Sequence, residues 1–256
     1  MLSMIKKLGI SIIIILTFLI AYYIRSFLSL FGLEFQNEFV DVLYFYVCWL
    51  IPIVVVTGLI YGFRNLYNVF GLSKGFPIGI LFAFITVMPM FISSAIIGNV
   101  STDIKLFSLF HTTVLAGFFE EVFFRAFLFG ILFRKLKWGF IPASVLGAFF
   151  FGLGHIYQGN NVLHTIGVFF VTAIGAAWFA WLYVEWENNL WVPIFLHIFM
   201  NFSWIFFEVG SNALGGVFIN IFRAVTIALT ILITILYHKK NGLKIKKRNL
   251  LINEVY

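Results

Sequence analysis

The sequence predicts an all-α, polytopic transmembrane helical bundle of about eight spans, with both termini on the cytoplasmic side. Composition is the first observation behind this. Of 256 residues, 62% are hydrophobic and 11% charged, against roughly 45–50% and about 25% in an ordinary soluble domain. The second is that the apolar residues form long unbroken runs instead of alternating, which indicates helices and not barrel strands of only ~10 residues. The third is that the basic residues gather on one side of those runs. With 35 Phe and a mean hydropathy of +1.05, the chain lacks the polar residues to cover a water-facing globule. A soluble enzyme, a disordered chain and a disulfide-stapled secreted domain are excluded. The single cysteine, Cys48, lies beside Trp49 and reads as a small buried hydrophobe.

The first span covers about residues 8–30. Lys6 and Lys7 precede it as in a signal peptide, but the apolar stretch continues to about Tyr23 and meets Arg25 without a small-residue cleavage site. It is therefore read as an uncleaved span. The others follow at about 39–61, 76–98, 105–133, 141–156, 162–184, 190–207 and 213–237. Gly75 with Pro77, Gly139 with Pro142, and Pro193 mark helix starts, where the missing proline donor is harmless. Ala173, Gly175, Ala176 and Ala177 read as a close helix-packing surface.

With the N-terminus inside, thirteen of the seventeen basic residues fall on the inner side. They are Lys6, Lys7, Arg64, Lys74, Arg134, Lys135, Lys137 and the tail residues Lys239, Lys240, Lys244, Lys246, Lys247 and Arg248. The outer side receives Arg25 and Lys105 with the acidic Glu34, Glu38, Asp41 and Asp103. Glu185 and Glu187, on an inner loop, run against the trend. The net charge of +7 is thus accounted for by topology, and no nucleic-acid partner is implied. The basic tail suits anionic headgroups, at roughly 1 kcal/mol per basic residue near the surface.

Ionisable residues inside the spans demand explanation, because a charge at mid-bilayer costs about 2.5–3.5 kcal/mol on insertion scales. The fourth span contains Glu120-Glu121-Val-Phe-Phe-Arg125, the fifth ends Phe151-Gly-Leu-Gly-His155, and the seventh holds His197-Ile-Phe-Met-Asn201. Glu121 and Arg125, four apart, can pair on one helix face with the acid N-terminal to the base. Glu120 sits about 140° from Arg125 at 100° per residue and is left without a helical cation partner. An unpaired buried carboxylate is what a general base or acid requires. His197 and Asn201 share a face, as do Phe151 and His155. At ~1.5 Å per residue, Glu120, His197 and Asn201 reach a common interior layer, with His155 the poorest fit. His111, nine residues before Glu120, is expected to face away from it, at about 180°. His164 reads as interfacial, His238 as part of the basic tail, and Arg223 has no evident partner. Read without chemistry, Glu121–Arg125 is a structural ion pair and His197–Asn201 polar glue between helices. The conjunction of a carboxylate, two imidazoles and an amide on three apolar helices is what favours catalysis.

These three motifs, Glu-Glu-x-x-x-Arg at 120–125, Phe-x-x-x-His at 151–155 and His-x-x-x-Asn at 197–201, in that order, resemble the CAAX-protease and bacteriocin-processing (CPBP, or Abi) family of intramembrane endopeptidases. The resemblance covers about residues 105–207 and no signature position departs from it. It implies a division into residues 1–104, the first three helices; 105–207, a catalytic core; 208–238, the last span; and 239–256, a basic cytoplasmic tail. It implies an integral, multi-pass protein of a bacterial cell membrane that hydrolyses a peptide bond of a peptide or protein substrate, membrane-associated or lipidated, near the cytoplasmic side. Carried over by position, Glu120 activates a water, His155 helps hold or deprotonate it, and His197 and Asn201 donate to the oxyanion. Glu121 and Arg125 are supporting residues that brace the carboxylate. Glu120, His155 and His197 could also form a His₂Glu zinc set, but no His-Glu-x-x-His motif exists and Asn201 suits an oxyanion better than a zinc ion, so no cofactor is favoured. Two other classes compete: a bacteriocin immunity or membrane scaffold protein acting by binding, and a proton-coupled transporter, against which stands the lack of inverted repeats and broken helices.

Overall fold

A computed structural model describes residues 3–102, 104–240 and 242–253; Asp103 lies outside them. The described residues form eight principal helices and no strand. These are α1 (Met4–Ser29), α2 (Glu38–Tyr61), α3 (Phe76–Ile97), α4 (106–135), α5 (Phe140–Leu153), α6 (Val162–Glu185), α7 (Trp191–Phe206) and α8 (Val217–Tyr237). Six helices are long and apolar enough to cross a membrane, and α7, with 16 residues, is shorter. The chain is an integral, multi-pass membrane protein.

The ends of the helices follow local chemistry. Ser3 caps α1, Asn37 caps α2 and Asn161 caps α6, each side chain accepting a first-turn amide that would otherwise lack a partner. Gly75 adopts a left-handed conformation, φ 86°, ahead of Pro77 and opens α3. Helix α5 stops at Leu153, short of the expected 156, so His155 lies beyond the helix in the turn that follows.

Helix α4 departs most from the ideal. It runs unbroken from Leu106, but His111–Leu115, Glu121–Phe129 and Ile131–Lys135 are wound as π-helix. The i→i+5 bonding of such stretches widens the turn and changes which residues share a face. From Glu121 to Phe133 every residue of α4 is buried. This makes α4 the central post of the bundle, against which Phe18 of α1, Trp49 of α2, Phe151 of α5 and Tyr183 of α6 pack in one cluster. Phe123 lies between Trp49, with ring centroids 4.4 Å apart, and Phe18 at 4.7 Å, offset aromatic contacts worth more than their area alone. Cys48 is buried.

The small-residue surface on α6 is only partly a packing surface. Ala176 is buried, but a methyl group on Gly175 would meet nothing within 4 Å.

The basic tail does not simply hang from α8. Glu185, fully buried at the end of α6, accepts from the backbone amides of Lys244 at 2.8 Å and Ile245 at 3.0 Å, and its carbonyl bonds His238 Nε2 at 2.7 Å. Lys244 pairs with Glu187 at 2.7 Å. The two acids that opposed the charge trend are therefore sockets for the tail, and His238 is a buried anchor (4% exposed) instead of a tail residue in solvent. Further along, Gly139 and Ile141 donate to the carbonyls of Leu251 and Leu250, and Trp138 forms an isolated antiparallel bridge with Ile252. Lys246, Lys247 and Arg248 stay exposed, free to meet headgroups.

Candidate active site

Glu120 lies where the α-helical turn Ala116–Glu120 meets the π-wound stretch after it. It faces α7 because the two helices come very close one turn earlier. A methyl group on Gly117 would stand 2.6 Å from Ile198 Cγ1 and 3.0 Å from the Ile198 amide nitrogen, so glycine is what permits the approach. This close contact presents Glu120 and Glu121 to His197, the neighbour of Ile198.

The two adjacent carboxylates meet opposite ends of one imidazole. Glu121 Oε1 lies 2.8 Å from His197 Nδ1, and Glu120 Oε2 lies 3.8 Å from His197 Nε2. Glu121 is fully buried and its second oxygen is 3.2 Å from Arg125 Nε. The Arg125 guanidinium sits over the Phe151 ring, 4.3 Å from its centroid, and 5.3 Å from that of Phe179, a cation held between two π faces. The sequence-based expectation that Glu121 and Arg125 brace Glu120 is modified: the direct contact of Glu121 runs to His197, and Arg125 backs Glu121. Glu121 takes a hydrogen from Nδ1, which fixes the orientation of the ring and leaves Nε2 directed at Glu120. Glu120 Oε2 is itself buried and has no hydrogen-bond partner.

His155 is held differently. Past the C-terminus of α5, its Nδ1 is 2.7 Å from the carbonyl of Phe151, one of the last-turn acceptors that a helix leaves unsatisfied. Its ring packs on Phe151 with centroids 4.5 Å apart. Asn201 donates from Nδ2 to the carbonyl of Thr112 at 3.0 Å, inside the first π-wound stretch of α4. Glu120, His155, His197 and Asn201 all line a single cavity of about 750 Å³, a volume within the range of small-molecule sites. Glu121 and Arg125 lie behind its wall.

His111 also lines this cavity, contrary to the expectation that it faces away from Glu120. The count at 100° per residue fails because His111–Leu115 is π-wound. Its ring stacks with Phe107 and meets Tyr46 edge-on at 6.0 Å. Arg223 is not without partners. It donates to the carbonyls of Ala213 at 2.7 Å and Leu214 at 3.1 Å, bonds Asn220, and lies 5.0 Å over the Trp204 ring. Backbone acceptors on a distant connector leave no trace in sequence. Gln158 was not singled out, yet it holds the same connector by accepting from the Ala213 amide at 2.8 Å. Phe179 was likewise missed, because an aromatic on an apolar helix carries no mark of the cation above it.

Among the described residues no group of three or more His, Cys, Asp or Glu side chains could hold a metal ion. Glu120, His155 and His197 do not gather as a cluster of this kind, although the contacts of Glu121 and the Phe151 carbonyl leave the second nitrogen of each ring open.

Comparison with known proteins agrees with the motifs. Residues 102–203 match the family described as type II CAAX prenyl endopeptidase Rce1-like. The chain is 32% identical over 90 residues to the "Putative membrane peptidase YdiL" of Bacillus subtilis (strain 168), a match covering 35% of this chain and 32% of that protein. It thus spans about a third of the relative's length. No solved structure matches the chain. Residues 102–203, which hold all four cavity-lining polar residues of the three motifs, are thus similar to the Rce1-like type II CAAX prenyl endopeptidase family.

Proposed function

We propose that the chain is an intramembrane endopeptidase in which Glu120 is the general base. One observation carries this reading: a buried carboxylate oxygen without a hydrogen-bond partner, 3.8 Å from an imidazole nitrogen, on the wall of a cavity large enough for substrate. A buried polar atom left unpaired costs about 1–3 kcal/mol, and among the carboxylates Glu120 combines such an atom with a place on the cavity wall. A water between Glu120 and the scissile carbonyl gives up its proton to Glu120 as its oxygen bonds the carbon. The C–N bond then breaks, and the proton returns from Glu120 to the departing amine.

The other residues take their parts from their geometry. His155, with Nδ1 tied to Phe151, turns its other nitrogen toward the cavity to hold the water. Asn201 spends one amide hydrogen on Thr112 and keeps the second for the oxyanion. His197, its ring fixed at Nδ1 by Glu121, presents Nε2 beside Glu120 for the oxyanion. The mechanism is written without a metal, a reading that Asn201 supports, since a carboxamide suits an oxyanion better than a zinc ion. Family likeness favours a membrane-associated or lipidated polypeptide as substrate. A bacteriocin immunity or scaffold role remains an alternative that acts through binding, and it predicts protection that survives loss of Glu120.

The test is cleavage of a fluorogenic peptide library by purified protein and by Glu120→Gln, with and without chelator. Cleavage that resists chelator and vanishes in Glu120→Gln supports the proposal. Undiminished cleavage by Glu120→Gln overturns it.

A further inference from the structure

The bundle has two unlike ends, and the cavity belongs to only one of them. The connectors 62–75 and 186–190 lie at the end that holds thirteen of the seventeen basic residues, the end that stays in the cytoplasm under the positive-inside rule. That end is knitted shut. Leu190 donates to the Gly71 carbonyl, Asn189 to Gly75, Trp191 to Leu72 and Arg134 to Val69, while the tail lies across 137–141. Above it, the unbroken buried run Glu121–Phe133 is sheathed on all sides, with Phe127, Leu128, Ile131, Leu132 and Phe133 at zero exposure. Water reaching Glu120 from this end would have to cross the driest part of the molecule.

The cavity walls reach the other end. Gly154, Tyr157 and Gln158, from the connector after α5, line it, and so do Ser211 and Ala213, from the connector after α7. Tyr157 is 79% exposed and Ser211 is exposed as well. Among the described residues, none of those lining the cavity comes from the connectors of the basic end. The acids Glu34, Glu38 and Glu208 lie at this far end too.

We infer that the site is entered from the extracytoplasmic side, and that its substrate is an extended, membrane-proximal polypeptide segment presented on that outer face. The substrate half of this inference rests on the peptidase reading; the entry face does not. It reverses the sequence-based expectation of cleavage near the cytoplasmic side. A cavity of about 750 Å³ receives a short length of unfolded chain and excludes a folded domain. The substrate is thus the outer juxtamembrane stretch of an exported or membrane-anchored protein, and not a segment still held in the cytoplasm.

The chain's single cysteine makes the test direct. In a Cys48→Ala background, with wild type (Cys48 buried) as a second control, cysteines are introduced singly. Ser211→Cys reports the mouth, Met200→Cys the cavity wall three residues beyond His197, and Lys240→Cys the basic end. A membrane-impermeant maleimide is applied to intact cells and to inside-out vesicles. The expected result is labelling of Ser211→Cys and Met200→Cys in intact cells and of Lys240→Cys only in the vesicles. Labelling of Met200→Cys from the Lys240 side, or from neither side, overturns the inference. Labelling requires no turnover, so the two readings fail separately. A chain with the expected pattern that cuts no peptide loses the peptidase reading, and one that cuts but labels from the basic end loses the outer entry alone.

Discussion

At the basic end the acids are matched: buried Glu185 takes two amides and faces His238, and exposed Glu187 takes Lys244. Around the cavity the bookkeeping is deliberately incomplete. Glu120 Oε2 has no hydrogen-bond partner, and Gln158 and Arg223 are among the side chains that hold the connectors at the mouth. The difference teaches how one bundle divides polar groups between two uses in a medium where each is costly. Paired fully, they fasten a chain terminus; left open beside a cavity, they are available for proton transfer. Glu121 stands between the two cases, since it is paired on both oxygens yet touches the reactive ring.

Substitutions can break this contrast. Glu120→Gln should lower turnover about 10²–10⁴-fold while thermal unfolding in detergent stays unchanged or rises, because no partner is lost. A parallel loss of stability would place Glu120 among the structural pairs. Glu121→Gln should show the opposite balance, destabilising by about 3–5 kcal/mol as Arg125 is left buried without its carboxylate. Denaturant unfolding measures this, and an unaffected midpoint would refute the pairing. Asn201→Ala should reduce turnover about 10²–10³-fold with little change in KM if it donates to the oxyanion; a change confined to KM would assign it to substrate binding. At the far end, Glu185→Gln should cost about 1.5–3 kcal/mol and expose residues after Tyr237 to limited proteolysis, with peptide cleavage retained. The smallest effect belongs to Gly175→Ala, where open space allows a gain of about 0.5–1 kcal/mol in helix stability, read as a modest rise in Tm.

What the sequence revealed, and what it withheld, follows the range of the forces involved. All eight helices lie where unbroken apolar runs place them, because a backbone in lipid must satisfy its own hydrogen bonds. Glu120, His155, His197 and Asn201 were marked as a group by polarity in the wrong solvent, and the structure sets all four on one cavity. Their roles stay proposals. The misjudged features depend on geometry or partners far along the chain. His111 faces the cavity because of π winding that no residue announces. Glu185 and Glu187 serve a tail about 60 positions away. The partners of Arg223 are carbonyls, which every residue possesses. The bracing of His197 by Glu121 could not be read from spacing within one helix.

The sealed run from Glu121 to Phe133 has an electrical consequence. If the cavity is entered from the outer side, as inferred above, the transmembrane voltage, about 2.3 kcal/mol per elementary charge per 100 mV, drops mainly across that dry plug. Glu120, on the cavity wall just above the plug, then sits close to the potential of the external medium.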